Sequence, residues 1–345
     1  MGVLALVGAQ WGSEGKGVIA AGLASQVSGA VRVGGPNAGH SFVHNGKLWK
    51  MRSVPCTWIN GGELFIGAGA VVNAELLERE LTEIGRVRPI YVDRHAVLIR
   101  HEDEEAEKEI VAKIGSTGEG VGAARIAKIK RDGTVLLAKD YTWTSPFVVV
   151  TDTAPILNAL IDKGATVMLE GTQGSGLSLH HGSYPHVTSS DTNASGMAAE
   201  AGIAPSLLTD VHLVARTYPI RVAGPSGPMG KEVGWDAVPV LTPERTTVTN
   251  KVRRIAEWSD DQFARAVLLN RPTGIWLTFA DYLDPSVRGE TNASTVLASK
   301  PVREFVARVE RDFAVPVLGV GTGGEGFQVA HLSGDTRGRS WAWSR

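Results

Sequence analysis

An apolar run that leads into a glycine-rich loop is the feature of this sequence that most restricts its fold. Val3–Val7 is apolar throughout, and Gly8–Gly17 follows with a lysine, Lys16, near its end. A continuous apolar run of this length is typical of a buried strand. Backbone amides of a glycine loop approach phosphate oxygens closely, and a helix that begins there adds its positive end. The spacing differs from a Walker A motif, so this loop alone is compatible with a phosphate site or an ordinary strand–helix turn.

Further apolar runs alternate with helical patterns along the chain. Strands are predicted at Val3–Val7, Leu64–Ile66, Ile90–Val92, Phe147–Val150, Val167–Leu169, Val211–Ala215, Ile275–Phe279 and Val315–Val320. Helices are predicted at Asn73–Ile84, His101–Ile114, Thr153–Lys163, Asp260–Leu269 and Val302–Phe313. This alternation predicts an α/β fold with a mostly parallel central sheet flanked by helices. With no linker or repeat, we expect one large domain over residues 1–345, in which residues 333–345 stay unassigned.

Composition excludes several classes of protein. The formal net charge of −1 argues against a nucleic-acid polymer or an anionic membrane as partner, since both require a basic surplus. Cys56 is the only cysteine, so no internal disulfide forms, which fits a reducing cytoplasm. The N-terminus lacks the basic and small-residue features of a signal peptide, and no apolar run is long enough to span a membrane. We expect a cytoplasmic protein.

Three more glycine-rich segments follow the first loop: Gly34–Ser41, Gly115–Gly122 and Glu170–Gly176, the last leading into His181–Ser190. Ligands bind at the carboxyl edge of a parallel sheet, where loops of this kind meet. His40 lies in the second segment and has an intrinsic pKa near neutrality, which suits proton donation to a developing oxyanion. A purely structural histidine is the alternative.

These motifs together resemble the adenylosuccinate synthetase family. The matching segments occur in the family's order and extend from residue 8 to about residue 324; they are Gly8–Gly17, Asn37–His40, Ser116–Gly118, Glu170–Gly174, Tyr184–Ser190 and Thr249–Arg254. The resemblance implies a P-loop-like α/β fold and a ligase activity. In that family a nucleoside triphosphate phosphorylates the 6-oxygen of a purine nucleotide, and the amine of aspartate then displaces the phosphate. It also implies Mg²⁺ as cofactor and a homodimer.

The resemblance implies a role for each residue that matches a family position. The catalytic set is Ser13, Lys16, His40 and Gln173, with Lys16 on the donor phosphates and His40 as acid toward the 6-oxygen. The purine nucleotide is expected at Ser13, Asn37, Thr117, Arg131, Gln173, Leu177, Thr188 and Lys251, with Arg131 reaching a phosphate across the dimer interface. Aspartate is expected at Thr249, Lys251 and Arg253.

The triphosphate donor and the metal ion complete the implied site. The donor is expected at Gly12, Glu14, Gly15, Lys16, Gly17, Gly39, His40, Ser41, Phe279, Asp281, Gly321, Thr322 and Gly323. Magnesium is expected at Ser13 and at the backbone of Gly39.

Ser13 is the most informative departure from the family, whose loop carries an aspartate there. That aspartate takes the N1 proton and binds magnesium, and a serine does neither well near neutral pH. The smaller, neutral side chain leaves room beside the N1–C2 edge of the purine, where its oxygen accepts a hydrogen bond from a 2-amino group. This describes guanine, and the sequence resembles the viral 2-aminoadenylosuccinate synthases, which add aspartate to dGMP. An ordinary synthetase that uses IMP, and a nucleotide-binding protein without turnover, are the alternatives.

Two further departures concern the sugar and the donor. Lys251 replaces a family arginine that reaches the ribose 2′-hydroxyl, which suits a deoxyribose, although drift between two basic residues explains it equally well. Phe279 replaces the lysine of a GTP-recognising segment in which Asp281 is retained, and Gly321–Gly326 lacks the family's Pro-Asp-Arg. These changes favour ATP or dATP over GTP, with Phe279 flanking the base; Phe279 as a core residue is the alternative.

Overall fold

The computed structural model describes residues 2–85, 88–239, 242–245, 251–323 and 328–332. Within these ranges the strands are β1 (Gly2–Gly8), β2 (Gly29–Arg32), β3 (His40–His44), β4 (Lys47–Met51), β5 (Glu63–Ile66), β6 (Val71–Val72), β7 (Ile90–Asp93), β8 (Val97–Leu98), β9 (Val148–Thr151), β10 (Thr166–Glu170), β11 (Leu208–Arg216), β12 (Ile220–Arg221), β13 (Glu232–Val233), β14 (Arg254–Ala256), β15 (Gly274–Thr278), β16 (Val317–Gly323) and β17 (Gln328–His331). The α-helices are α1 (Lys16–Gly22), α2 (Ala74–Glu83), α3 (His101–Ile114), α4 (Val121–Lys130), α5 (Thr153–Asp162), α6 (Ala194–Ala201), α7 (Asp260–Asn270), α8 (Ala293–Ala298) and α9 (Lys300–Phe313).

The described part of the chain is built on a ten-stranded sheet in the order β17-β16-β15-β11-β1-β10-β2-β5-β7-β9. Every pairing in it is parallel except that of β16 with β17. The predicted α/β fold with a mostly parallel sheet is confirmed.

Strand β1 lies in the middle of this sheet and is buried along its whole length. Its alternate side chains enter two different apolar clusters, Val3, Ala5 and Val7 on one face and Leu4 and Leu6 on the other. Parallel strands covered by helices on both faces have this continuous apolar character. The apolar run of the sequence is therefore explained by burial on both sides.

The predicted strands and helices are present, with bounds that differ by up to three residues. The prediction is wrong for Phe279, which was assigned to the end of a strand: β15 ends at Thr278, and Phe279 adopts a left-handed backbone with φ of +59°. Strand β2, the β3–β4 hairpin and helix α4 were not predicted. Among the described residues, no helix is long and apolar enough to cross a membrane. The unassigned residues 333–345 lie outside the described part.

The carboxyl ends of the central strands bring the glycine-rich loops together. Residues 9–15 follow β1, residues 33–39 follow β2, residues 171–174 follow β10, and Phe279 follows β15. Because β2, β10, β1, β11 and β15 are consecutive in the sheet, these loops line one edge. That edge carries the candidate site.

Candidate active site

The loop after β1 is folded around the carboxylate of Glu14. Its Oε1 accepts hydrogen bonds from the backbone N–H of Gln10 at 3.0 Å and of Gly12 at 2.8 Å. Its Oε2 lies 2.7 Å from Nζ of Lys16, and both side chains are fully buried. The lysine predicted at the donor phosphates is thus held inside the loop by an internal counter-ion. Gly15, with φ of +86°, ends the loop and begins α1.

Close contacts join this loop to the one after β10. A Cβ atom on Gly12 would lie 2.8 Å from Oε1 of Gln173, and one on Gly8 would overlap the carbonyl oxygen of Gln173. Glycine is required at Gly8, because a side chain would push the loops apart, and at Gly12 the φ of +94° favours glycine. The structure therefore places the predicted residues Gly12 and Gln173 side by side.

Ser13 is half-buried at the centre of the loop and contacts two arginines. Its hydroxyl accepts a hydrogen bond from Nη1 of Arg253 at 3.1 Å. Its carbonyl oxygen accepts one from Nη1 of Arg216, also at 3.1 Å. Burial lowers the pKa of Arg253, but not enough to discharge a guanidinium near neutral pH. Ser13 and Arg253, predicted respectively at the purine and the aspartate, are therefore in direct contact.

His40 is held by a buried ion pair at the ends of two neighbouring strands. Nδ1 of His40 lies 2.7 Å from Oε1 of Glu170, and Nη1 of Arg32 lies 2.8 Å from the same oxygen. The backbone N–H of Cys56 donates to Oε2 of Glu170 at 2.7 Å. Arg32 and Glu170 are direct register partners on β2 and β10.

These contacts fix the protonation of the histidine. Burial, followed by the charge of Arg32, lowers the pKa of His40 to about 4. Burial alone would raise the pKa of Glu170, but the hydrogen bond from His40 and the charge of Arg32 hold it at about 2. The imidazole is therefore neutral, with its proton on Nδ1 facing the carboxylate. Nε2 is buried and has no hydrogen-bond partner among the described residues, so it carries a free lone pair.

Helix α1 packs directly on the strand that carries His40. A Cβ atom on Gly17 would lie 2.8 Å from Cβ of His40 and 2.9 Å from the backbone N of Ser41. The predicted donor residue Gly17 therefore packs against His40 and Ser41. A side chain at position 17 would prevent this close packing.

A second group of predicted donor residues lines a shallow, open cavity. The lining residues are Gly15, Val18, Thr278, Phe279, Gly321, Gly323, Gln328 and Val329. Two acceptor oxygens in this region, Oδ1 of Asp281 and Oε1 of Gln328, are buried without a partner in the described part of the chain. Burial raises the pKa of Asp281 to about 6. A ligand that donates hydrogen bonds is what such orphaned acceptors require.

Phe279 forms part of the wall of this cavity. Its ring lies over the guanidinium of Arg216, whose Cζ is 3.4 Å from the ring centroid. It is half-buried, lines the cavity and also packs against the apolar cluster of Ile220, Val238, Ile255 and Tyr282, so both the role in base binding and the role in the core have support. Thr322, by contrast, is fully buried and donates its hydroxyl to the carbonyl of Glu290 at 2.8 Å.

The remaining predicted residues take no part in the contacts described above. Leu177 and Thr188 are joined by a backbone hydrogen bond of 2.8 Å, and Asn37 is half-buried in the loop after β2. Thr117, Arg131 and Lys251 are exposed, Arg131 at the end of α4 with φ of +57°. Thr249 lies outside the described residues.

The residues expected to hold magnesium offer hard oxygen ligands. Ser13 supplies a hydroxyl, and Gly39 is exposed, with only Cγ of Arg52 within 4 Å of where a Cβ would be. Mg²⁺ is usually bound by one or two carboxylates together with waters and substrate phosphates. The Gly39 carbonyl can supply one oxygen ligand, but Ser13 is a neutral hydroxyl that already accepts a hydrogen bond from Arg253, so the pair alone is a weak metal site. Among the described residues His40, Cys56 and Glu170 also converge, but burial keeps the thiol protonated by raising its pKa, and Arg32 already neutralises the carboxylate.

Three charged residues that support the site have no role predicted from the sequence. Arg32, Glu170 and Arg216 are the last residues of β2, β10 and β11. Glu170 and Arg216 could have been recognised as site residues, because each is a charged residue at the carboxyl end of a predicted strand. Arg32 gave no such signal, because the four-residue strand β2 was not recognised.

Comparison with known proteins decides the family. The sequence model of the adenylosuccinate synthetases matches residues 5–144 and 137–288. The chain belongs to this family. Its members are C–N bond-forming ligases, and so is this protein. The resemblance inferred from the motifs is confirmed.

Curated relatives include two archaeal adenylosuccinate synthetases. The enzyme of Methanococcus aeolicus is 36% identical over 338 residues, which cover 95% of this chain and 98% of that protein. The enzyme of Archaeoglobus fulgidus is 36% identical over 344 residues, covering 96% and 98%.

Two solved structures share the fold. The succinoaminodeoxyadenylate synthetase (PurZ) of cyanophage S-2L, bound to dGMP and to dATP as an energy donor, has a TM-score of 0.84 and 28% identity, covering 97% of this chain and 96% of that one. This likeness matches the suspected relationship to the viral synthases. The fully ligated adenylosuccinate synthetase of Plasmodium falciparum has a TM-score of 0.83 at 19% identity, covering 96% and 100%, and shows the fold alone.

Proposed function

We propose that this ligase joins L-aspartate to the 6-position of dGMP, with ATP or dATP as phosphate donor and a 6-phosphoryl intermediate. The product is 2-aminodeoxyadenylosuccinate, a precursor of diaminopurine nucleotides. The observation that supports this most is Ser13: a half-buried neutral hydroxyl at the centre of the loop, bound to Arg253, where the family carries an aspartate.

The reaction proceeds in two steps. In the first, the purine releases its N1 proton to water, its 6-oxygen attacks the γ-phosphorus of the donor, and the nucleoside diphosphate leaves. In the second, the amine of aspartate attacks C6 and gives up a proton to water, and inorganic phosphate leaves with the oxygen. Mg²⁺ held at the Gly39 carbonyl and by the substrate phosphates would neutralise charge on the transferred phosphoryl group.

The contact with Arg253 leaves the Ser13 hydroxyl able to accept a second hydrogen bond. The guanidinium of Arg253 donates to the Ser13 hydroxyl at 3.1 Å, so the remaining lone pair of that oxygen is available to the 2-amino group of guanine. An aspartate in the same place would form an ion pair with Arg253 and occupy the space beside the N1–C2 edge. Glu14 does not replace the missing acid, because both its oxygens are engaged by Gln10, Gly12 and Lys16.

We propose that His40 contacts the 6-oxygen of the purine. Gln173, which lies beside Gly12, is proposed to contact the purine as well. In the substrate-free chain Nε2 of His40 is unprotonated, since the pKa of this histidine is about 4. A phosphate dianion next to Nε2 stabilises the imidazolium and raises that pKa. His40 therefore acquires its proton as the 6-phosphoryl group forms, and then stabilises the leaving phosphate.

The cavity beside Phe279 is proposed as the site of the donor base. The aromatic ring offers a stacking surface, and the orphaned oxygens of Asp281 and Gln328 accept hydrogen bonds from exocyclic amino groups. Adenine is favoured over guanine because Phe279 replaces the family's lysine. The cyanophage relative carries dATP as energy donor, which supports the same choice.

A homodimer is also proposed. Ile126 and Ile129 lie one turn apart on α4 and are 58% and 72% exposed. Exposed apolar residues grouped in this way indicate a protein interface. Arg131 follows directly at the end of α4, so a partner packed on this face would receive its guanidinium.

An ordinary adenylosuccinate synthetase that uses IMP and GTP is the second candidate. The 36% identity to the archaeal enzymes over nearly their whole length favours it. Ser13 would then be tolerated, and another base would take the N1 proton.

Aspartate-dependent phosphate release separates the two candidates. The purified chain is assayed with Mg²⁺ and aspartate against a matrix of dGMP, GMP and IMP with ATP, dATP and GTP. We expect turnover with dGMP and an adenine nucleotide. Turnover with IMP alone would refute the proposal and support the second candidate.

A further inference from the structure

Arg216 connects three parts of the site that the family motifs treat separately. It ends β11 and is buried, with 2% of its surface exposed. Its guanidinium touches the loop after β1, the ring of Phe279 and the carboxylate of Glu244. No phosphate or base is needed to explain any of these contacts, so the side chain has a structural role rather than that of a ligand-binding group.

The first connection is to the proposed donor site. The guanidinium lies against the Phe279 ring, with Cζ 3.4 Å from its centroid. The described residues that line the cavity include Phe279 but not Arg216, so the guanidinium contacts the ring without itself lining the cavity. A base stacked on the cavity side would complete a sandwich of base, ring and guanidinium.

The second connection is to the purine loop. Nη1 of Arg216 donates to the carbonyl of Ser13 at 3.1 Å. The backbone of Arg216 is held to the same loop, because its N–H and C=O both bond the side chain of Gln10 at 3.0 Å. Both the backbone and the guanidinium of Arg216 therefore contact the loop that carries Ser13.

The third connection leads to Arg253. Glu244 is the counter-ion of Arg216 and also accepts a hydrogen bond from the hydroxyl of Tyr282. The carbonyl of Glu244 accepts the backbone N–H of Arg253 at 2.8 Å, and Arg253 returns to the Ser13 hydroxyl. Ser13 therefore accepts hydrogen bonds from two arginines, and both hydrogen bonds depend on the position of the Arg216 guanidinium.

We propose that Arg216 is a positioning residue that couples occupancy of the donor-base cavity to the geometry of Ser13, so that donor and purine monophosphate bind with positive cooperativity. A base on Phe279 fixes the ring, the ring fixes the guanidinium, and the guanidinium fixes the Ser13 carbonyl. Because coupling is reciprocal, the monophosphate tightens the donor by the same factor. This inference rests on the proposed place of the donor base and not on the identity of the monophosphate.

The test measures that coupling factor by calorimetry. The monophosphate that the chain turns over, dGMP or IMP, is titrated with and without the β,γ-imido analogue of the active donor. In the wild type we expect the analogue to tighten the monophosphate at least about tenfold, which corresponds to about 1.4 kcal/mol.

Two variants each remove one partner of the stack between the Phe279 ring and the Arg216 guanidinium. Arg216→Lys keeps the charge beside Glu244 but loses the planar stack and the fork of donors. Phe279→Leu keeps Arg216 and removes the ring. Both are expected to reduce the coupling factor to below about threefold, while the affinity for the monophosphate alone changes by less than that.

Arg221→Lys is the matched control. Arg221 is equally buried, but it donates to the carbonyls of Pro228 and His186, and its guanidinium lies near the ring of Trp11 instead of Phe279. We expect it to retain the coupling factor. Wild-type coupling in Phe279→Leu, or equal losses of affinity with and without the analogue in Arg216→Lys, would overturn the inference. A chain that uses IMP would refute the proposed substrate and leave this test intact.

Discussion

The hydroxyl of Ser13 accepts a hydrogen bond from Nη1 of Arg253 at 3.1 Å, across 240 residues of sequence. This contact joins the loop after β1 to the segment implied to bind aspartate. It also sets the charge of the purine pocket, since the cation of Arg253 faces a neutral oxygen. In a family member with aspartate at this position the two charges would neutralise each other.

Ser13→Asp is therefore expected to reverse the choice of substrate. The carboxylate restores a base for the N1 proton of IMP and occupies the space for the 2-amino group. We expect the ratio of kcat/KM for dGMP over IMP to fall at least about 100-fold, which is about 2.7 kcal/mol.

Ser13→Ala is the control for this change, because it keeps the space but removes the acceptor. It should lower the activity with dGMP without creating activity with IMP. A Ser13→Asp variant that still prefers dGMP would show that position 13 does not determine the substrate.

Phe279→Lys is expected to shift the donor from ATP or dATP toward GTP. The substitution restores the family's residue beside Asp281 and removes the stacking ring. We expect the ratio of kcat/KM for ATP over GTP to fall about tenfold or more, measured by phosphate release at saturating monophosphate and aspartate.

Phe279→Tyr should leave the donor preference within about threefold, because the stacking face persists. In Phe279→Lys the new ammonium group would lie beside the guanidinium of Arg216, so repulsion between the two cations should lower the melting temperature of that variant. An unchanged donor ratio in a folded Phe279→Lys variant would remove Phe279 from the base site.

The sequence predicted the sheet well because buried parallel strands leave long apolar runs. The run at Val3–Val7 is buried on both faces, and its pattern is visible without any knowledge of its partners. The loops that follow such strands were also predictable, because the carboxyl ends of parallel strands meet at one edge. Gly12 and Gln173 are side by side for that reason.

The connections between charged residues could not be predicted in the same way. Arg32 and Glu170 are register partners, but register depends on how β2 pairs, and a strand of four residues gives little periodicity. Phe279 was assigned to a strand because its apolar character continues that of β15. Its left-handed backbone follows from tertiary contacts, among them the hydrogen bond from the hydroxyl of Thr217 to its carbonyl at 2.6 Å.

Glu170→Gln should destabilise the protein strongly. It leaves the buried guanidinium of Arg32 without its counter-ion and replaces one of the two carboxylate oxygens, which accept from Arg32, His40 and Cys56, with an NH₂ donor. Loss of one partner of a buried ion pair costs about 3–5 kcal/mol, measurable as a lower free energy of unfolding in urea.

Glu83→Gln is the matched control for Glu170. Glu83 pairs with Lys47 at 2.9 Å, but both side chains are about half exposed. Loss of this pair should cost less than about 1 kcal/mol. Equal losses in the two variants would show that the Arg32–Glu170 pair contributes no more than a surface pair.

Asp281→Asn should stabilise the substrate-free protein above about pH 6, and not at low pH. The pKa of Asp281 is raised by burial from 3.8 to about 6, so the folded state prefers the neutral acid. Its contribution to stability is fully present below pH 3.8 and is lost as the pH rises through about 6. The variant should therefore melt at a higher temperature than the wild type at alkaline pH, and the difference should vanish as the pH falls toward 3.8.

Asp284→Asn is the control, and its effect on the melting temperature should have the opposite sign. Hydrogen bonds from Ser299 and Ser286 lower the pKa of Asp284, so its carboxylate stabilises the fold at neutral pH and this contribution is lost on acidification. That variant should melt below the wild type at alkaline pH. A gain for Asp281→Asn that is independent of pH would contradict the raised pKa.

Arg131→Ala and His40→Asn should each be inactive and should restore activity when mixed. Arg131 is exposed at the end of α4 beside the apolar residues Ile126 and Ile129, whereas His40 is buried at the sheet edge. If Arg131 serves the partner's site, a mixed dimer holds one site with both lesions and one with neither. Random exchange of subunits in a two-fold dimer then gives about a quarter of the wild-type activity.

Each variant incubated alone is the control, and subunit exchange is verified by mass spectrometry of differently tagged chains. Verified exchange without rescue would mean that each site is built from a single chain.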